Sequence, residues 1–208
     1  MRESPRIRRL RNDYRAMEAL RGQSSILAFH TKGTPPDTYA VRFHGKGLWV
    51  ADGSERVKIR ELHDVRVLLG ASYPRTMPDL HWVSPIFHPN ISSSGVVCLG
   101  GYGTHWVPSL GLDKLCEMLW DMIRYRNFDV DSPYNREAAA WAKTQCAYAL
   151  PVDKRSIRDL LATSPNTPSA NLGPNQPNGA DGMPGQDGEE IIDAELVEPE
   201  DQDIVFLD

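Results

Sequence analysis

The sequence predicts an α+β domain followed by a segment that builds no core, and three observations carry this. Apolar residues recur at helical spacing near the N-terminus, β-prone runs separated by turn residues fill residues 25 to 69, and helical spacing returns after Trp106. A chain of 208 residues that is 40% hydrophobic has room for one ordinary core and a tail.

Ser4 and Pro5 read as the N-cap and first residue of a helix, with Ile7, Leu10, Tyr14, Met17 and Leu20 on one face and Gly22 as its stop. The other face displays Arg6, Arg8, Arg9, Arg11 and Arg15, either a solvated surface or a docking surface for a partner. The runs SILAFHT, TYAVRFH, LWVA, RVKIRE and HDVRVLL predict an antiparallel meander, with turns at Gly33 to Pro36, Gly45 to Gly47, and Asp52 to Gly53. Alternation places Val65, Val67 and Leu69 on one face, and a further strand is expected around Leu80 to Val83. Leu112, Leu115, Leu119, Met122 and Ile123 form the stripe of a later helix. Asn135 caps another that should run to Pro151, and residues 152 to 162 suit a short helical piece.

Residues 163 to 188 hold five Pro and five Gly and almost no large apolar side chains, so they read as a disordered linker. The expected organisation is a folded domain over 1–160, that linker over 163–188, and an acidic tail over 189–208. Charge divides the same way. No Lys or Arg follows Arg158, so residues 1 to 158 carry +7 and the remainder −12. The basic side chains of the body are not interleaved with aromatics, which argues against nucleic acid as a partner. No run approaches the roughly 20 apolar residues of a membrane span, and the N-terminus lacks the apolar run of a secretory signal. A soluble, cytoplasmic protein with no membrane partner is expected. Cys98, Cys116 and Cys146 are odd in number and form no CxxC pair, which disfavours a disulfide framework and a cysteine-rich zinc site.

One region carries a chain of motifs. Tyr73-Pro74 with Pro78 precedes His88-Pro89-Asn90, then Cys98-Leu99, then Trp106-Val107-Pro108, with ten residues from His88 to Cys98 and eight from Cys98 to Trp106; Ser132-Pro133-Tyr134-Asn135 follows. Order and spacing resemble the core of the ubiquitin-conjugating enzymes over residues 73 to 133, and linked motifs are far more specific than a lone His-Pro-Asn. Residues 25 to 70 match that family poorly, which suggests a distant branch, such as a prokaryotic one, rather than a standard eukaryotic member.

The resemblance implies the ubiquitin-conjugating fold and an acyltransferase that accepts a ubiquitin-like modifier on Cys98 as a thioester and transfers it to a lysine amine. It implies an activating enzyme that consumes the ATP, protein substrate lysines, a ligase as a further partner, and no cofactor or metal of the chain's own. The residue chemistry agrees: a thiolate is a good acyl acceptor, and its thioester stays reactive toward amines. Gly95, Gly100, Gly101 and Gly103 leave the backbone around Cys98 uncrowded.

The resemblance assigns Asn90 two compatible roles: donating to the oxyanion formed when an amine attacks the thioester, and bracing the loop through backbone bonds. It gives the acidic or hydroxyl group that handles the incoming amine to Asp131 or Ser132, ahead of Pro133, although these stand two residues further from Cys98 than is usual. Asp131 can equally serve only the local turn. His88, Pro89, Trp106 and Pro108 are expected to be structural, with His88 or His105 as general base the less favoured option. A zinc set of His81, His88, Cys98 and His105 lacks close ligand pairs.

Two departures bear on partners. Arg75 stands where the family often exposes a hydrophobic residue to ligases, and Gly100 stands where an acidic residue often follows the cysteine. The final Asp203-Ile204-Val205-Phe206-Leu207-Asp208 resembles segments that add a strand to the edge of a ubiquitin-like protein, or is simply a solubilising acidic end. The rival functions are a catalytically inactive binding or scaffold protein of the same fold, against which the pairing of Cys98 with Asn90 counts, and a cysteine hydrolase using His88 or His105.

Overall fold

Helix α1 (Pro5–Arg21) starts as its sequence predicts, with Ser4 Oγ accepting from Ile7 N at 3.2 Å. Leu10, Met17 and Leu20 are buried, and so is Asp13 on the same stripe. The chain then forms β1 (Leu27–Gly33), β2 (Pro36–Val50), β3 (Val57–Leu68) and β4 (Asp79–Trp82), paired antiparallel in sequential order. Helix α2 (Leu112–Ile123) follows, then α3 (Arg136–Thr144) and the single turn α4 (Asp159–Ala162). This computed structural model describes residues 3–100 and 106–162; the linker and tail assigned to 163–208, together with Gly101, Gly103 and His105, lie outside the described residues.

The four-stranded sheet packs one face against α1 and α2. Leu27 and Phe29 of β1, Tyr39, Val41 and Phe43 of β2, and Val65 and Val67 of β3 meet Leu10, Met17 and Leu20 of α1 and Leu115, Leu119 and Trp120 of α2. A second cluster forms around Leu48, Val57 and Tyr125, with Phe87, Phe128, Trp141 and Tyr148 against it. Tyr125 takes φ of 59° just after α2, a position that glycine usually fills. Its side chain compensates for that conformation: the hydroxyl donates to Phe87 O at 2.5 Å and the ring packs against His88, Phe128 and Trp141.

Two boundaries differ from expectation. The five predicted β runs become three strands: TYAVRFH and LWVA join in β2, because Gly45 to Gly47 is a bulge rather than a turn, and RVKIRE and HDVRVLL run on as β3. The glycines there are required by close packing: a Cβ on Gly45 would lie 2.4 Å from the Trp120 ring, and one on Gly47 would lie 2.6 Å from His63. The helix capped by Asn135 stops at Thr144 instead of reaching Pro151. The Gln145 side chain bonds both N and O of Tyr148, at 2.9 and 3.2 Å, and Tyr148 turns back to donate to Val57 O at 2.9 Å. Burying Tyr148 and its neighbours against the second cluster outweighs helical continuation.

The arginine face of α1 is divided. Arg6 donates to Leu69 O at 2.8 Å; Arg9 donates to Asp13 at 2.8 Å, to the Tyr73 hydroxyl at 2.7 Å, and to the carbonyls of Pro108 and Leu110. Arg8, Arg11 and Arg15 are exposed, Arg11 pairing with Glu3. Asp13 completes this clamp. It accepts from the Tyr73 hydroxyl at 2.7 Å and from Leu112 N at 3.2 Å, and so caps α2, whose own N-cap is Gly111 and offers no side chain. Burial, and then the Asp13 charge, pushes the Tyr73 phenol well above its usual range.

Asp13→Ala is expected to lower stability by about 3 kcal/mol, because it strips three donors of one acceptor in a buried setting. Equilibrium urea denaturation would show this as a lower midpoint at unchanged slope.

Candidate active site

Cys98 lies on irregular chain between two positive-φ glycines, Gly95 and Gly100. Gly95 has φ of 81°, and a Cβ there would stand 2.2 Å from Trp82 O; its own carbonyl accepts from Trp82 N at 2.8 Å. This pins the loop to the end of β4. Isolated bridges join Ile91 to Val97 and His81 to Val96. Gly100, just past Cys98, has φ of 62° and open space around it. Of the three thiols, Cys116 is buried against Met17, with burial pushing its thiol far up, and Cys146 is exposed on the surface. Cys98 is half-buried in a small cleft lined by Asn90, Leu99, Gly100, Met122, Asn127 and Asp129.

The His88-Pro89-Asn90 tripeptide joins this cleft to the chain that follows α2. Cys98 N donates to Asn90 O at 2.9 Å, and Pro89 O accepts from Tyr134 N at 2.8 Å and Asn135 N at 2.9 Å. The Asn90 side chain, itself buried, clasps the backbone of Asp129: Nδ2 donates to Asp129 O at 2.9 Å, and Oδ1 accepts from Asp129 N at 2.7 Å. A longer contact runs from Nδ2 to Ser132 O at 3.5 Å. The bracing geometry expected of Asn90 is therefore present in full, and its second amide hydrogen is held only by the longer contact.

His88 is fully buried, its Nδ1 accepts from Asn90 N at 3.1 Å, and its ring packs against Tyr125 at 4.9 Å between centroids. Burial holds its pKa down to about 3, so it is a neutral, buried imidazole and a weak base. Trp106 donates to Pro74 O at 2.7 Å and packs on Tyr73, fixing the cis Tyr73-Pro74 turn. Pro108 precedes α2 in a turn, so the helix opens four residues after it, at Leu112.

Asp131 and Ser132 are both exposed and neither lines the cleft. The Asp131 carboxylate accepts from Lys143 Nζ at 3.0 Å and its side chain is 86% exposed. Asp129 stands in the cleft instead. Its Oδ1 accepts from Asp131 N at 2.8 Å and Ser132 N at 3.3 Å, an Asx turn that sets the two predicted residues behind it. Nothing local in the sequence sets Asp129 apart from Asp131; the Asn90 clasp that holds the Asp129 backbone is a contact across 39 residues of sequence.

This arrangement, a half-buried cysteine on an irregular loop braced by an Asn clasp, after an N-terminal helix and a four-stranded meander, defines a ubiquitin-conjugating-type domain. A family model described as ubiquitin-conjugating enzyme matches residues 60–154. Ubiquitin-conjugating enzyme E2 16 of Schizosaccharomyces pombe is 28% identical over 147 residues, covering 66% of this chain and 81% of its own length. SUMO-conjugating enzyme UBC9 of Caenorhabditis elegans is 28% identical over 100 residues, covering 47% of this chain and 59% of its own. In fold, Saccharomyces cerevisiae Ubc12 superimposes with a TM-score of 0.54 at 18% identity, over 70% of this chain and 75% of that one. The chain is thus similar to ubiquitin-conjugating enzymes in sequence, over residues 60–154 for the family model, and in fold. It is accordingly an acyltransferase of the conjugating type. Among the described residues no helix is long and apolar enough to cross a membrane.

The buried histidines make stability pH-dependent. Burial holds His63 to about 4 and His88 to about 3, below the 6.5 of an unfolded chain. As pH falls below 6.5, the unfolded chain takes up protons that the folded chain refuses. Stability is thus full above pH 6.5 and declines down to the folded values, by on the order of 1 kcal/mol per histidine per pH unit. Urea midpoints measured from pH 7.5 to 4.5 should fall accordingly, and His63→Gln should flatten that slope.

Proposed function

We propose that Cys98 accepts a ubiquitin-like modifier from an activating enzyme as a thioester and delivers it to a lysine amine. The observation that carries this is the position of Cys98: half-buried, it lines a cleft together with buried Asn90 and with Asp129, while Cys116 is fully buried and Cys146 exposed. In the first step the Cys98 thiolate attacks the modifier's thioester carbonyl on the activating enzyme, and the enzyme's thiolate leaves. In the second, the lysine nitrogen attacks the Cys98 thioester, an isopeptide bond forms, the amine loses a proton, and Cys98 departs.

Asn90 acts chiefly by holding the wall of the cleft, and its more weakly held amide hydrogen is the one able to turn to the oxyanion. Asp129, in place of Asp131 or Ser132, is the acid that meets the incoming amine. Asp129 is among the residues that line the cleft, with Oδ1 held by the amides of Asp131 and Ser132, whereas Asp131 and Ser132 are not among them. The partners that follow are a modifier, its activating enzyme, acceptor lysines and a ligase. Exposed Arg75 makes the ligase surface differ from the hydrophobic one.

Incubated with ATP, an activating enzyme and ubiquitin as probe, the wild-type chain should form a reductant-sensitive adduct. Cys98→Ala should form none. A surviving reductant-sensitive adduct in that variant defeats the assignment, and none in the wild type with either ubiquitin or SUMO favours the scaffold role. With charged protein and free lysine, Asp129→Asn should slow discharge at least about tenfold with charging intact. Asp131→Asn should stay within about twofold; the reverse pattern would return the acceptor role to Asp131.

A further inference from the structure

The sheet is open along one side. β1 is its outer strand, and no strand among the described residues lies beyond it. His44 N donates to Ile26 O at 2.7 Å, so Ile26 and, by alternation, Ala28, His30 and Lys32 direct their backbone groups toward β2. The backbone groups of Leu27, Phe29 and Thr31 therefore face outward. Leu27 N donates to Ser24 Oγ at 3.2 Å. The amides of Phe29 and Thr31 and the carbonyls of all three have no partner among the described residues. An edge of this kind is a template for another strand, and proteins that stay monomeric cover or blunt it.

Three observations name the occupant. Ile204-Val205-Phe206-Leu207 is a β-prone run flanked by Asp203 and Asp208, within a segment from 163 to 208 that holds eleven acidic residues and no Lys or Arg. The sheet surface beside the open edge carries Lys32 on β1 and Arg66 on β3, the latter at the register position of His30 through Ala40. The chain also leaves the described domain next to this edge. Asp159 of α4 accepts from Ser25 N at 2.8 Å, and Leu160 N donates to Gln23 O at 3.2 Å, just ahead of the first residue of β1. The intervening chain, about 40 residues at up to roughly 3.3 Å each, is ample to return to β1.

We propose that Ile204–Leu207 pairs with Leu27–Thr31 of the same chain as an added strand, its acidic flanks facing the cationic surface. The pairing closes the edge against other chains and is independent of the thioester chemistry at Cys98.

Amide hydrogen exchange by NMR on the full chain, beside the full chain carrying Val205→Pro, tests this. Proline removes a tail donor and disrupts strand pairing while leaving the folded domain untouched. The Phe29 and Thr31 amides should exchange at least about tenfold faster in Val205→Pro, with amides of β3 unchanged. Thr31→Pro, a substitution that an edge strand tolerates where its N–H faces outward, should release the Val205 and Phe206 amides in turn. Equal exchange of Phe29 and Thr31 in wild type and Val205→Pro overturns the proposal. So does protection that rises with protein concentration, which would place the run on a second copy. Tail signals that shift only on adding ubiquitin, with β1 unchanged, would assign the run to the modifier and overturn it too.

Discussion

The site depends on one side-chain amide. Asn90 clasps the backbone of Asp129 from both its amide atoms, while its own carbonyl receives the amide of Cys98. Without that clasp, two irregular stretches, one carrying the thiol and one carrying the carboxylate, have no regular structure to hold them together. Both are loops, so neither a helix nor a strand ladder fixes their separation; buried, charge-free hydrogen bonds in a region of low dielectric do so instead. His88 and Pro89 extend the same logic, since one fills the pocket beneath with a neutral ring and the other receives the amides that start α3.

A second, charged clamp does the corresponding work at the other end of α2. Asp13 takes the place of the missing N-cap side chain, and Arg9 gathers Tyr73 and the carbonyls ahead of the helix. Trp106 adds a bond to Pro74 O, so the turn at Tyr73, the approach to α2 and the start of α1 become one rigid corner. Met122, near the C-terminal end of α2, lines the Cys98 cleft, so the registration of that helix reaches the reaction centre through the core. Stability and site geometry are coupled along this helix, in the sense that the same buried contacts serve both.

The surface divides differently from the core. α1 sends Arg6 and Arg9 inward, where their forked donors satisfy carbonyls that a lysine would reach with fewer bonds, and leaves Arg8, Arg11 and Arg15 outward. Arg75 adds another exposed cation on the turn next to α1. A partner that meets this corner faces positive charge beside exposed Val107.

How much was legible beforehand follows from the range of the forces involved. The helix starts at Ser4 and Asn135, the apolar stripe of α2, the alternation of Val65 to Leu69, and the fixed spacings among His88, Asn90, Cys98 and Trp106 are local, and the sequence by itself determined them. It also carried the resemblance to the ubiquitin-conjugating enzymes, because linked motifs at fixed spacing survive where overall identity is low. What only the tertiary structure decided was which groups share space. Gly45 and Gly47 look like a turn until Trp120 and His63 press against them from far along the chain. Asp13 looks like a misplaced acid on an apolar stripe until Tyr73 and Leu112 arrive. Asp131 and Asp129 are equivalent as letters, and the clasp of Asn90, formed across 39 residues of sequence, holds Asp129 at the cleft that Cys98 also lines, while Asp131 pairs with Lys143 outside it.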